Sequence, residues 1–302
     1  MTWILSHLLF PVTFVAGLAC ALVGIQHGVL EELLLGSISL VVMAIVATFE
    51  RILPEHPEWN RSQGDVGTDL VHMLVSMVAI PELLKILLHM TLLGVAMRVS
   101  DLLGAPIWPQ HWPVLAQLVP ALLISQFFEY WAHRSLHEVP VLWRLHATHH
   151  SPERLYWLNA ARFHPLDSAL LFVVGLTPLL LLGAGRDVLL LLTVWVSLHG
   201  MFQHCNIRLR LGPLNYVFSM AELHRWHHSL VLKEANSNYG NNILFWDIVF
   251  GTVHYPRDRS ASADIGLHNL TGFPETWLAQ VLSPWRWERY QPKDYERGPS
   301  GE

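Results

Sequence analysis

Six long apolar segments limit what this chain can fold into. They lie near residues 7–24, 30–49, 70–97, 112–132, 166–182 and 188–203. A helix needs roughly 17–25 apolar residues to cross a bilayer, and only the last segment is slightly short of that length. In lipid every backbone amide must find its partner inside the protein, which favours helices for segments of this length. The sequence therefore predicts an all-α fold, a polytopic membrane helix bundle.

The third apolar segment is interrupted by Pro81, Glu82 and Lys85. Charged residues within a membrane segment usually face a cavity inside the protein. We therefore favour one kinked span over residues 70–97. Two shorter helices lying at the membrane interface are the alternative.

Composition supports a membrane protein and excludes several other classes. The 302 residues are 52% hydrophobic and only 14% charged, and the net charge is −5. No basic surface of the kind that binds nucleic acid is expected. Two cysteines, Cys20 and Cys205, provide no disulfide framework. No Lys or Arg precedes the first apolar segment, so we interpret it as a span rather than a removed signal peptide.

The loops between the spans predict the orientation and the domain limits. The GAGRD turn joins 166–182 to 188–203 as a hairpin that returns to its starting side. Loops on that side carry six arginines, against Arg98 and Arg186 opposite: Arg51, Arg61, Arg134, Arg144, Arg154 and Arg162. The positive-inside rule then places this side in the cytoplasm. Residues 1–256 form the predicted membrane-embedded domain, and 257–302 an interfacial or loose C-terminal tail.

Three clusters of histidines follow the apolar segments, the first of them directly after 112–132. They contain eight histidines: His133, His137, His146, His149, His150, His224, His227 and His228. Offsets of three and four residues place imidazoles on one face of a helix, about 5–6 Å apart at Cβ, where they can share a metal ion. The apolar hairpin brings the third cluster to the same side as the first two. The sequence therefore predicts a histidine-rich helical cap at the cytoplasmic membrane surface.

The number of histidines points to a dinuclear metal site. Imidazole binds Fe, Zn, Cu and Ni, so ligand type alone does not select the metal. Eight histidines exceed the needs of one tetrahedral zinc, and a structural zinc usually has cysteine ligands. A haem-binding or metal-handling protein remains an alternative, as does a zinc hydrolase, although the HExxH motif of many such hydrolases is absent.

The motifs HRSLH, HATHH and HRWHH, followed by NYGNNILFWDIVFGT, resemble those of the fatty acid hydroxylase and sterol desaturase superfamily. The resemblance covers roughly residues 112–256. It implies a non-haem di-iron enzyme that uses O2 and two external electrons to hydroxylate a fatty acyl, sterol-like or ether lipid, or to desaturate it. Zinc can replace iron during purification, because it binds such ligands more tightly.

No nicotinamide or flavin fingerprint is present in the sequence, so the electrons are expected from a separate ferredoxin, cytochrome or reductase. The partners predicted for the chain are therefore a lipid substrate, the membrane and this electron donor, with no nucleic acid.

Further ligands are expected from the hairpin. Two metal ions need about eight to ten protein ligands, and the eight histidines of the clusters reach only the lower end of that range. We rank His204 first, His199 second and His164 third as additional metal ligands. The family resemblance implies a histidine pair four residues apart in this region. His199 and His204 are five apart, which fits only if the helix contains a π-bulge.

Carboxylates should accept the outer ring N–H groups of metal-bound histidines. Glu129, one helical turn before His133, is the first candidate. Weaker candidates are Asp167, Glu222 and Asp247. Asn159 and Arg162 precede the hairpin and should border the site, so with Glu129 they complete the set of predicted catalytic residues.

Overall fold

The computed structural model describes residues 2–104, 107–268, 270 and 272–290. Helices dominate this part of the chain, and its β-structure is limited to isolated bridges. The first eight are α1 (Thr2–Gln26), α2 (Glu31–Ile52), α3 (Val66–His72), α4 (Ile80–Leu103), α5 (Val114–Glu138), α6 (Pro140–His150), α7 (Pro165–Leu182) and α8 (Arg186–Gln203). Shorter helices follow: α9 (Ala221–His227), α10 (Leu232–Ala235), α11 (Phe245–Phe250) and α12 (Trp277–Val281). The predicted all-α class is confirmed.

Five of the helical stretches are long and apolar enough to cross a membrane. They are α1, α2, the stretch Val66–Leu102, α5 and α7. Large apolar side chains on their outer faces are exposed, among them Val12, Val15, Leu40, Leu83 and Met90. Lipid is the environment that accepts such a surface, because contiguous apolar patches of this extent are rare on soluble monomers.

The sixth predicted span, 188–203, forms helix α8 of 18 residues. This helix packs against α1, α2 and α5. Leu191, Val194, Leu198 and Phe202 on it are fully buried. It lies at the centre of the bundle, and its apolar sequence is explained by contact with other helices.

The third predicted span runs as one helical stretch rather than as two separate helices. α3 continues through a π-helical segment, Met73–Ala79, directly into α4. The interruption expected from Pro81 thus takes the form of a π-helical segment just before it, a common way to accommodate a break in a long helix. Within this segment the Ser76 hydroxyl donates a hydrogen bond of 2.7 Å to the carbonyl of Phe163.

The α7–α8 hairpin turns at Gly183, whose φ of +84° is in the left-handed region that glycine adopts without strain. The chain then returns along α8 to the side where α5 ends. On that side α6, α9 and a short 3-10 helix, Trp157–Ala161, form a cap over the bundle. The arrangement joins segments that are nearly 100 residues apart in sequence.

The tail predicted for 257–302 is packed against the cap in its described part. α12 is followed by a 3-10 helix, Ser283–Arg289, and Gln280 is buried. Gln280 Oε1 lies 2.8 Å from Nε2 of His72, so the tail contacts α3 directly. Residues 291–302 lie outside the described residues.

Candidate metal centre

Nine buried histidines converge beneath the cap in two groups. Within each group one ligand atom per residue lies within 4.8 Å of all the others. The first group consists of His133, His137, His146, His150 and His227. The second group consists of His149, His204, His224 and His228. All eight histidines of the predicted clusters are present, and His204 joins them.

Helix geometry divides the two HxxHH motifs between the groups. His149 and His150 are neighbours in α6, so their side chains differ in direction by about 100°. His150 therefore joins His146 in the first group, whereas His149 faces the second. In α9, His227 belongs to the first group and His224 to the second. Both short helices thus lie between the two sites and supply each of them.

Outer hydrogen bonds orient the rings of the first group. Nδ1 of His146 lies 2.7 Å from Oδ2 of Asp167, and both side chains are buried. Nδ1 of His133 lies 2.7 Å from the carbonyl oxygen of Tyr239. Nδ1 of His227 lies 2.8 Å from that of Ser237. Oxygen atoms of this kind accept hydrogen bonds, so each Nδ1 carries the proton and each Nε2 keeps its lone pair.

The free lone pairs of the first group point at one another. Nε2 of His133 is 3.0 Å from Nε2 of His146 and 3.1 Å from Nε2 of His227. Three lone pairs at this separation repel each other unless a cation lies among them. The donor atoms therefore fit a metal ion that prefers nitrogen ligands.

The second group repeats this arrangement with weaker outer contacts. Nδ1 of His204 lies 3.1 Å from Oδ1 of Asn159, and Nδ1 of His149 lies 3.3 Å from the carbonyl oxygen of Arg162. Nε2 of His224 is 2.8 Å from Nε2 of His204 and 3.0 Å from Nε2 of His228. Within the described residues, Nδ1 of His224 and of His228 has no partner. No carboxylate contacts this group within that part of the chain.

Burial keeps the cap imidazoles neutral at physiological pH. It lowers the pKa of His146, His149, His150 and His227 well below the ordinary value, and neighbouring imidazoles lower it further. For His204, burial lowers the pKa to about 3. Neutral imidazole is the form that binds metal, so the site is ready for a cation without first losing protons.

A buried network of charges fixes the loop that serves the second group. The Arg162 guanidinium pairs with Asp69, and Tyr156 donates a hydrogen bond of 2.6 Å to the same carboxylate. Arg154 pairs with Asp65 at 2.7 Å. The ring of Phe163 stacks on His149 with centroids 4.0 Å apart. Asp69 of α3 therefore holds Arg162, while Asn159 is held by the backbone of Tyr156 and Arg154. The Asn159 side chain and the Arg162 carbonyl each accept a hydrogen bond from a ring of the second group.

His199 and His164, the second and third additional ligands predicted, lie outside both groups. A separation of five residues rotates His199 by about 140° from His204 around the helix, away from the metal site. No π-bulge compensates for this, because α8 is α-helical up to Gln203. His164 instead caps α7: its Nδ1 accepts from the backbone N–H of Leu166 at 3.1 Å. Its Nε2 donates to the carbonyl oxygen of Val281 at 3.0 Å.

Among the described residues, the carboxylate in contact with a ring of the two groups is Asp167, a weaker candidate, rather than Glu129. Glu129 accepts hydrogen bonds from Gln126 at 2.8 Å and Asn241 at 3.2 Å. Among the described residues it accepts none from a histidine, because the ring of His133 already donates to a backbone carbonyl. Gly175 permits its close approach to α7, since a Cβ there would collide with the carboxylate.

Glu222 and Asp247 also contact no histidine within the described chain. Glu222 accepts hydrogen bonds from the backbone N–H of Leu211 and from Asn215. Asp247 accepts from the backbone N–H groups of Tyr239 and Gly240, at 2.8 and 2.7 Å. Burial raises its pKa to about 6. Asp247 thus holds the backbone of Tyr239, whose carbonyl accepts the hydrogen bond from the ring of His133.

Sequence reasoning missed the backbone carbonyls of Ser237 and Tyr239 and the side chain of Asn236. Asn236 Oδ1 lies 3.4 Å from Nδ1 of His137. These residues belong to NSNYGNN, in which Asn238 has a positive φ of 50° and bonds the carbonyl of Leu223. The signal for this loop was its density of turn-forming residues directly after the third cluster.

Comparisons with known proteins agree with this site. The sequence model of the fatty acid hydroxylase family matches residues 118–252. Ornithine lipid hydroxylase OlsE of Rhizobium tropici is 38% identical over 281 residues, which cover 92% of this chain and 83% of that protein. Alkylglycerol monooxygenase of Danio rerio is 30% identical over 162 residues, 53% of this chain and 35% of that protein. Methylsterol monooxygenase 1 of Rattus norvegicus is 28% identical over 152 residues, 48% of each chain.

No solved structure matches the chain. The extent of the similarity to the Rhizobium protein nevertheless shows the family. The chain belongs to the fatty acid hydroxylase and sterol desaturase superfamily, and it is a multi-pass membrane protein.

Proposed function

We propose that this protein is an O2-dependent lipid hydroxylase whose two histidine groups each hold one iron ion. The observation that carries the proposal is the convergence of imidazole lone pairs in two adjacent groups of five and four histidines. When bound, a pair of iron ions supplies the oxidising power that side chains lack for attack on an unactivated C–H bond. Zinc would occupy the same ligands after purification.

The protein residues hold and orient this centre. Asp167 and the carbonyls of Ser237 and Tyr239 keep the rings of the first group in the required tautomer. Asn159 and the carbonyl of Arg162 do the same for the second group. The cap buries all nine rings, which keeps bulk water from the reacting centre.

The substrate we propose is an acyl lipid of the membrane, in the first place one with an amino-acid head group. The relative with the largest coverage is named for ornithine lipid, and the others for alkylglycerol and methylsterol. A bilayer-embedded bundle with its metal site just beneath the cap can receive a lipid directly from the membrane. The proposed catalytic domain is 1–256, its cap faces the cytoplasm, and a separate protein provides electrons.

The test is expression of the full chain in a bacterium supplied with the candidate lipids, followed by mass spectrometry of its lipid extract. We expect a lipid heavier by one oxygen atom, and the label should appear when the cells grow under 18O2. His146→Ala is the matched control and should give no hydroxylated lipid. Loss of two hydrogens without added oxygen would instead show desaturation. Bound zinc with no iron-dependent activity would contradict the di-iron assignment.

A further inference from the structure

A cavity of about 310 Å³ opens beside α9 on the same side as the metal centre. Arg225 and Trp226 line it from α9. Arg210, Arg257 and Arg259 line it from two other segments. Its walls are thus mostly charged, which distinguishes it from the apolar crevices that hold lipid tails.

The accessible charges around this cavity are mainly positive. The side chains of Arg208, Arg210 and Arg259 are 51%, 39% and 51% exposed, and Arg257 is exposed as well. Of the acids at or beside the cavity, Glu55 and Glu234 are only 10% and 13% exposed, and each is paired with arginine. Glu222 is half-buried, and Asp258 is exposed and offsets part of the positive charge. We name these four arginines the arginine rim. A positive surface of this kind contrasts with the net charge of −5 for the whole chain.

The part of α9 that lines this cavity lies next to ligands of both histidine groups in the sequence. Arg225 and Trp226 are the two residues between His224 and His227, which belong to the second and the first group. Trp226 is only 2% exposed, and the guanidinium of Arg259 lies 4.5 Å from the centre of its ring. A buried aromatic ring therefore lies between a surface arginine and ligands of both sites.

The proposed reaction requires an electron donor that docks close to the metal ligands. One C–H hydrogen is replaced by a hydroxyl group, and the second atom of O2 leaves as water. This change consumes two electrons and two protons in addition to the substrate and O2. Electron transfer becomes slow with distance, so the donor must come close to the metal ligands.

We propose that the arginine rim is the docking surface for an acidic one-electron carrier protein of the ferredoxin class. The inference rests on the proposed function, because it names the partner of the same metal centre. The carrier docks over the cavity and transfers one electron to the metal centre through α9 at Trp226. It then leaves in the oxidised form and is replaced by a second reduced carrier. Opposite charges accelerate such encounters and fix the orientation of the partners.

The experiment measures the binding of an acidic plant-type [2Fe–2S] ferredoxin to the full chain in detergent at low salt. The test variant is Arg208→Glu with Arg257→Glu, since both side chains are exposed and their loss should leave the fold intact. The control is Arg98→Glu with Arg186→Glu, the same charge change at the opposite end of the bundle. We expect the test variant to weaken binding by at least about 10-fold, and the control to bind like wild type.

Salt provides a second measurement. Screening over about 10 Å at 0.1 M salt should weaken binding of wild type and control, and have little effect on the test variant. Equal affinity of test variant and wild type would overturn the proposal, as would absence of binding to wild type. Turnover with dithionite in place of the carrier tests the hydroxylase activity separately. If dithionite supports turnover but the carrier does not bind, docking is wrong and the proposed function stands. If the carrier binds through the rim but no reductant supports turnover, the proposed function is wrong.

Discussion

The two histidine groups lie side by side yet differ in what surrounds them. The first has five histidines, and a buried carboxylate, Asp167, contacts one of its rings. The second has four histidines, and its outer contacts are the neutral oxygens of Asn159 and Arg162. A carboxylate partner makes an imidazole a stronger ligand and offsets the charge of a bound cation. The first group should therefore hold its metal more tightly, and the second leaves more room for exogenous ligands.

The largest effect is expected when a ring is removed from either group. His146→Ala and His204→Ala should each reduce iron from about two per chain towards one, and should abolish hydroxylation, because both ions are needed. The loss should exceed the roughly 10–100-fold effect of removing an outer partner. Iron is measured by elemental analysis together with lipid hydroxylation.

His199→Ala and His164→Ala serve as controls. Both residues lie outside the two groups, so both variants should retain iron. Full iron in His204→Ala would remove this residue from the second group. Loss of iron in His199→Ala would show that its ring reaches the metal after all.

Asp167→Asn should have the next largest effect. It keeps the size of the side chain but removes the negative charge that His146 contacts. We expect iron to leave the first group about 10–100 times faster in the presence of a chelator. In wild type, iron release should have a fast phase from the second group and a slow phase from the first. In the variant, the rates of the two phases should become similar. Unchanged release would mean that the charge of Asp167 does not distinguish the two groups.

Asn159→Ala should have a smaller effect, confined to the second group. The variant leaves Nδ1 of His204 without its acceptor, and a neutral amide contributes less than a carboxylate. We expect the fast phase of iron release to accelerate by less than about 10-fold, while the slow phase keeps its rate. Acceleration of both phases would indicate that the loop supports the two groups together.

Glu129→Gln is expected to change metal content least, by less than about 2-fold. Among the described residues its carboxylate bonds two amides and no histidine, so the metal ligands keep their partners. The variant separates a role in the metal site from a role in the helix bundle. A loss comparable with that of Asp167→Asn would restore Glu129 as the carboxylate sequence spacing suggested.

Local patterns in the sequence determined most of the fold. Apolar segments of spanning length predicted the long helices, because this signal depends only on neighbouring residues. Histidine spacing likewise predicted rings that share a helix face. The same reasoning placed His204 at the end of α8, where the hairpin returns to the cap.

Tertiary structure decided how the ligands are divided and supported. Sequence spacing treated HATHH as one unit, whereas packing assigns His149 to one group and His150 to the other. Sequence spacing also favoured Glu129 over Asp167, because spacing reports only on neighbours within one helix. It does not show that α7 packs beside α6.

The sequence by itself thus determined the helices, the cap and eight of the nine clustered histidines, and it ranked the ninth first among further ligands. Only the folded chain selected Asp167, Asn159 and the loop carbonyls as outer partners. The physical reason is range: helical periodicity links residues up to four apart, whereas the outer hydrogen bonds of the metal centre join residues up to 106 positions apart.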